Sequence, residues 1–265
     1  MRLHHPLRLG VATLAMTAAL GAASAVTVGA TSPSPSATTP ASGDPSASSS
    51  PSATPTPGPC SGSVAAQLAC IRQRATTAVN DRESALQQMA GDVNSSVAIK
   101  AGDKSTLLGQ INADESGLET LLGTIDADTT VAQARADTET IVTGFRVYVL
   151  EGPKVHLVIA ADTEGNVESV IQSVLPAVQA AINASGASAA QKAEAQTAFN
   201  DCSSHLGAAE SASSGIVVEV IDLQPSGYPG NQPTLASARQ SAQTARQDLG
   251  TCYTDLKDIR QDLGS

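Results

Sequence analysis

The chain has 265 residues, 15 basic and 25 acidic side chains, four cysteines, five aromatics and no tryptophan. A net charge of −10 works against binding to nucleic acid or anionic lipid headgroups. So few aromatic rings leave little for stacking platforms that hold sugars or bases.

The N-terminus reads as an address. "MRLHHPLRLG" carries Arg2 and Arg8, "VATLAMTAALGAA" supplies an apolar stretch, and "ASA" ends at Ala25 with the small residues of a cleavage site. Residues 1–25 are therefore expected to be a signal peptide, and no later run reaches the roughly 18 apolar residues of a membrane span. Removal of Arg2 and Arg8 leaves 13 basic against 25 acidic groups. Residues 26–59 follow as a linker. Within 31–59, Ser, Thr and Pro fill 22 of 29 positions, and, Pro aside, no apolar side chain larger than Ala is available for burial. Its hydroxyls would suit O-linked sugars. Export also makes two disulfides the expected state of the four cysteines.

From residue 60 the pattern is helical, and the fold expected for 60–265 is all-α, built of long antiparallel hairpins in a coiled-coil-like bundle. In 62–94 the inward positions are Val64, Leu68, Ile71, Ala75, Val79, Arg82, Leu86, Met89 and Val93. After Asp103, the expected N-cap, residues 107–125 present Leu107, Ile111, Glu115, Leu118, Leu121, Leu122 and Ile125. Antiparallel pairing then sets Val93 against Leu107 and Val79 against Leu121, a hairpin over 62–126.

The same arithmetic closes a second hairpin over 187–264. Phe199, Cys202, Leu206, Ala209, Ser213, Ile216, Val220 and Leu223 form one seam. Leu235, Ala238, Ala242, Ala245, Leu249, Cys252, Leu256, Ile259 and Leu263 form the other. Folding about Gly227, in the helix-breaking stretch "PSGYPGNQPT", brings Cys202 opposite Cys252 across an alanine-rich seam. A Cys202–Cys252 bridge is expected, leaving Cys60 to fold back onto Cys70.

The middle, 129–184, admits two readings. Thr129 or Thr130 caps a helix with Val131, Ala134, Thr138, Ile141 and Phe145 inward. "FRVYVLEGPKVHLVIAAD" then reads locally as a β-hairpin over 145–160 or as part of a long helix kinked at Pro153 and again near Pro176. "GIVVEVIDL", 215–223, raises the same ambiguity. The helical reading is preferred, because isolated two-stranded hairpins are marginal.

Three stretches, "LLGQINADESGLETLLGTIDADTT", "FRVYVLEGPKVHLVIAAD" and "LQPSGYPGNQPTLASARQSAQTARQDL", resemble segments of secreted, helix-rich proteins of unassigned function from high-GC Gram-positive bacteria. The resemblance implies an extracytoplasmic, mainly helical domain and brings no active site with it.

Catalytic signatures are missing: no H-E-x-x-H, paired C-x-x-C, G-x-S-x-G or phosphate-cradling glycine loop occurs. Beyond the leader only His156 and His205 remain, and packing or surface positions account for both. Asp126 and Asp128 are expected to complement a helix N-terminus. "DTEGNVE", 162–168, is a loose likeness of a calcium loop, with its glycine wrongly placed. One group breaks the compositional rule: Phe145, Arg146, Tyr148, Lys154 and His156 concentrate ring and basic groups in an acidic, ring-poor chain, and mark the candidate interaction surface. The expected function is an exported structural or protein-interaction module of the envelope or extracellular space. It would have no cofactor and no catalysis, with an envelope or extracellular partner or self-association through its helices. A small-ligand or cation-binding protein with a pocket between helices is the alternative.

Overall fold

The computed structural model describes residues 60–264, and the expected signal peptide and linker lie outside them. Among the described residues every regular element is helical. Seven α-helices run in the order α1 Val64–Ser95, α2 Ala101–Ala127, α3 Val131–Thr143, α4 Gly152–Ala184, α5 Ala189–Ser213, α6 Ile216–Val220 and α7 Gln232–Asp262. A π-helical turn, Val147–Glu151, leads into α4, and a 3-10 turn, Pro225–Gly227, lies between α6 and α7. The expected all-α fold and its two hairpins, α1–α2 and α5–α7, are present.

The hairpins form where the apolar periodicity placed them. Leu68, Ile71, Ala75, Val79, Leu86, Met89 and Val93 of α1 are buried, with Leu107, Ile111, Leu118 and Ile125 of α2. Val64, expected inward, is exposed one turn beyond the end of that stripe. Three of the reversals are held by a long basic side chain satisfying carbonyls that a helix C-terminus leaves without partners. Lys104 Nζ donates to Asn94 and Ser96 at the end of α1, and Lys192 Nζ donates to Asn183 at the end of α4. Arg72 donates to Ile125 and Asp128 at the end of α2.

Both expected disulfides are formed. Cys202 and Cys252 clip α5 to α7 with Cα atoms 4.0 Å apart, and Cys60 folds back to Cys70 at 5.7 Å. Ala209 and Ala245, fully buried beside the first bridge, allow the two axes to approach closely.

α4 is the central element. It packs against α1, α5, α6 and α7, which explains why its sequence is apolar on more than one face. The acids buried on it are answered from other elements. Asp162 accepts the Lys100 backbone N–H at 2.9 Å and pairs with Lys100 Nζ at 3.0 Å. Glu164 meets Arg246 of α7 at 3.3 Å, and Glu168 accepts from Ser213 of α5 at 2.9 Å.

Several expectations are corrected. Residues 145–160 form no β-hairpin: they pass from the π-turn into α4. The break falls at 144–146, not at Pro153, which sits in the first turn of α4 where its missing N–H is no loss. Pro176 lies within α4, which continues to Ala184. The N-cap position of α2 is Lys100, not Asp103, and the capping carboxylate comes from Asp162 on another helix. "DTEGNVE" is therefore helical, and its first acid is an N-cap in trans. Thr130 caps α3 as expected, accepting from Gln133 N–H. Asp126 and Asp128 precede α3 as expected, but lie at the C-terminal end of α2, Asp128 as its C-cap. The seam from Phe199 to Leu223 is not one helix, because α5 stops at Ser213 and α6 restarts at Ile216. "GIVVEVIDL" is helical over 216–220.

Candidate functional site

The chain changes direction between α3 and α4, and the reversal concentrates the residues that depart from its composition. α3 ends at Thr143, and at its C-cap, Gly144, an added Cβ would stand 2.9 Å from the carbonyl oxygen of Thr140. Phe145 folds back under α2: a Cβ on Gly117 would lie 2.6 Å from the Phe145 ring. Arg146 then takes a left-handed conformation, φ 51° and ψ 31°, which costs a non-glycine residue roughly 1–2 kcal/mol. Two interactions hold it there. Its carbonyl accepts from the N–H groups of Val149, Leu150 and Glu151, which starts the π-turn. Its guanidinium lies over the Tyr228 ring, 4.6 Å from the centroid.

The turn sorts its side chains by direction. Val147 and Leu150 enter the core, whereas Tyr148 and Val149 face outward, along with Val142 of α3. Arg82, expected inward on α1, is half-buried on that helix's flank. It donates to the Ala78 carbonyl and lies over the Tyr148 ring at 5.4 Å.

Inside the bend lies a charged cluster. Glu151 and Lys154 form a 2.7 Å ion pair, their side chains 3 % and 1 % exposed. Lys154 Nζ also donates to the Leu223 carbonyl at 3.3 Å, and Gln110 Nε2 of α2 donates to the Ile221 carbonyl at 2.9 Å. The turn between α6 and α7 is thereby fastened to α2 and α4. It is braced within itself by Asn231 Nδ2 donating to Gln224 O, and Gln232 donates to the Tyr228 hydroxyl. Asp114 of α2 feels the charges of both members of the ion pair. Burial, then the Glu151 charge, push its carboxyl up to about 6 against the opposing pull of Lys154. Burial likewise raises Glu151, with Lys154 acting in the opposite direction.

The expected five-residue surface is thus divided. Tyr148 is on the surface, Phe145 and Arg146 are half-buried, and Lys154 is buried in the pair. His156 is exposed on α4. Asp114, Glu151, Gln110 and Tyr228 were not singled out from the sequence. Asp114 is legible in principle, since 111, 114 and 118 share one helical face, although the periodicity places Glu115 inward.

Elsewhere, His205 Nδ1 lies 2.8 Å from Asp248 Oδ1 across the α5–α7 hairpin, near Asp255. Among the described residues no group of three or more His, Cys, Asp or Glu is placed to hold a metal ion. A groove of about 410 Å³ opens between α1 and α3, with Ile71, Cys60, Arg74, Arg135 and Thr138 on its walls. A second, of about 580 Å³, lies between α5 and α7 and is lined by acids that include Glu194, Asp201 and Asp258. Neither groove is lined by Tyr148 or His156. No described helix is long and apolar enough to cross a membrane. No protein-family model matches the chain, and no curated protein or solved structure matches it either.

Proposed function

We propose that the protein is an exported helical interaction module of the cell envelope or extracellular space, working by contact rather than catalysis, with the α3–α4 bend as its contact surface. The observation that carries this reading is the outward face of the bend. Tyr148, about half exposed, stands with Val142 and Val149 on a backbone held by the Arg146 left-handed turn and three amide hydrogen bonds. Ring and β-branched side chains on a rigid element, beside an arginine, have the composition of contact hot spots. Two disulfides fit an oxidising compartment.

The test is an in situ crosslinking pull-down from the envelope of the producing cell, comparing wild type with the Tyr148→Ser/Val149→Ser variant. A partner captured by the wild type and reduced at least about ten-fold by the variant supports this surface. Equal capture by both moves the contact elsewhere, and no reproducible capture removes the interaction reading. Small-ligand binding is the second reading, favoured by the groove between α1 and α3 with its Ile71 floor and Arg135 rim. A thermal-shift panel of small carboxylates, repeated on Arg135→Gln, checks it.

A further inference from the structure

Between α1 and α3 two short strips of side chain border one groove. Ile71 and Arg74 lie three residues apart on α1, and Arg135 and Thr138 three apart on α3, so each pair occupies one helical face. With Cys60 they wall the groove of about 410 Å³. We propose that this groove binds a small organic anion with a short aliphatic tail, its charged head between Arg74 and Arg135 and its tail against Ile71 and Cys60. The assignment rests on the small-ligand reading above and names the charge and shape that the groove selects.

The lining decides the sign of the ligand. Acidic side chains outnumber basic ones by 25 to 15 in this chain, yet both charged residues on these walls are arginines. The groove between α5 and α7 has the opposite lining, since every charged residue on its walls is an acid. Asp137, next to Thr138 in the chain, interacts with Asp128 at the end of α2. Arg135 Nη2 donates to Gln67 Oε1 of α1 at 3.5 Å, a long bond to a neutral group that leaves the guanidinium charge uncompensated there. A guanidinium presents a planar fork of N–H donors that matches the oxygens of a carboxylate or phosphate, and such charge-assisted bonds are about twice as strong as neutral ones. Thr138 adds no donor, because its hydroxyl already donates to the Ala134 carbonyl at 2.6 Å. The two arginines are therefore the side-chain donors that this groove offers an anion.

The rest of the lining is apolar. Ile71, 5 % exposed, belongs to a cluster with Leu68 and Ala134, against which Cys60 and Val131 pack. Cys60 precedes α1 and is held in place by its bridge to Cys70. The volume lies within the roughly 300–1,000 Å³ usual for small-molecule sites. Each methylene fully removed from water is worth about four-fold in affinity. A tail of several carbons, partly covered in an open groove, should add at least about ten-fold over the head alone.

Residue-resolved NMR titration of the purified oxidised protein near pH 7, where a carboxylate is ionised, tests the assignment. The probes are hexanoate, acetate, hexylammonium and hexanol. Hexanoate is expected to shift the amide signals of Ile71, Arg74, Arg135 and Thr138 and to bind at least about ten-fold more tightly than acetate. Arg135→Gln and Arg74→Gln should each weaken hexanoate about ten-fold. Unchanged hexanoate binding in both variants overturns the assignment. Shifts in this groove from hexylammonium or hexanol but not from hexanoate also overturn it, while leaving the small-ligand reading in place. If none of the four probes shifts these signals, both fall.

Discussion

Lys154 is among the largest side chains fully buried in the described part of the protein. An ammonium group in that position is tolerated only because Glu151 and the Leu223 carbonyl replace its water. Removing it exposes the asymmetry of such pairs. Lys154→Met keeps the volume but leaves the buried Glu151 carboxylate, with the half-buried Asp114 nearby, without its counter-charge. A loss of about 3–5 kcal/mol is expected near pH 7.5, shrinking toward pH 5, where both acids accept protons more readily than in the unfolded chain. Urea unfolding at the two pH values checks it; an equal loss at both would separate Lys154 from the acids. Gly117 gives the opposite kind of test. It lies inside α2, where alanine ordinarily gains about 1 kcal/mol in helix propensity. The 2.6 Å approach of a Cβ to the Phe145 ring overrides that gain. Gly117→Ala should lower stability by about 1–2 kcal/mol through displacement of Phe145, read as a fall in thermal midpoint. Gly109→Ala, on the same helix with open space at the Cβ position, should raise it.

At the scale of elements, the α5–α7 hairpin combines an alanine seam with a cross-link spanning 50 residues. Small side chains bring the axes together but bury little apolar surface each, so the bridge matters more here than it would between leucine-rich helices. Replacing both Cys202 and Cys252 by Ala should remove about 2–4 kcal/mol while leaving the helical circular dichroism intact. A loss of helicity at low temperature would mean that the seam cannot hold without the bridge. The same hairpin illustrates what was legible in the sequence. Counting outward from Gly227 found the Cys202–Cys252 pairing, because a fixed helical period and a marked reversal determine which residues meet. The α3–α4 bend obeyed no such count. A run of β-branched residues around Gly152–Pro153 suits a strand locally, but burial of Val147 and Leu150 in the π-turn and of Val155 and Val158 in α4 outweighs that preference. The role of Asp162 is not legible locally for a related reason: as the cap of α2 it depends on a residue 62 positions away in the chain. Lys154 was correctly seen as out of place, but whether it faced water or the core depended on Glu151, Asp114 and a loop carbonyl meeting in three dimensions.

At the scale of the whole molecule, the buried and half-buried acids act together. Asp103, Asp114, Glu151, Glu164, Glu168 and Asp255 are all raised, and burial is the largest cause in each. Asp114 reaches about 6 and Glu164 about 7, the latter despite Arg246, which is well exposed to solvent. A carboxyl raised in the fold binds its proton more tightly there than in the unfolded chain. Its ionisation therefore opposes folding, and stability falls as pH rises from the unfolded values near 4 toward the folded ones. Repulsion among the 25 acidic side chains of a chain with net charge −10 acts in the same direction. After allowance for solvent screening, Asp114 and Glu164 together should make the protein about 2–3 kcal/mol more stable near pH 5 than near pH 8. The check is a series of urea midpoints across that range on the wild type and on Asp114→Asn/Glu164→Gln. The wild-type midpoint should be highest near pH 5, and the double variant should flatten the profile by raising its alkaline side. A wild-type midpoint that climbs steadily from pH 5 to pH 8 would show that the ion pairs with Lys154 and Arg246 outweigh desolvation, and that these acids stabilise the fold in their charged form.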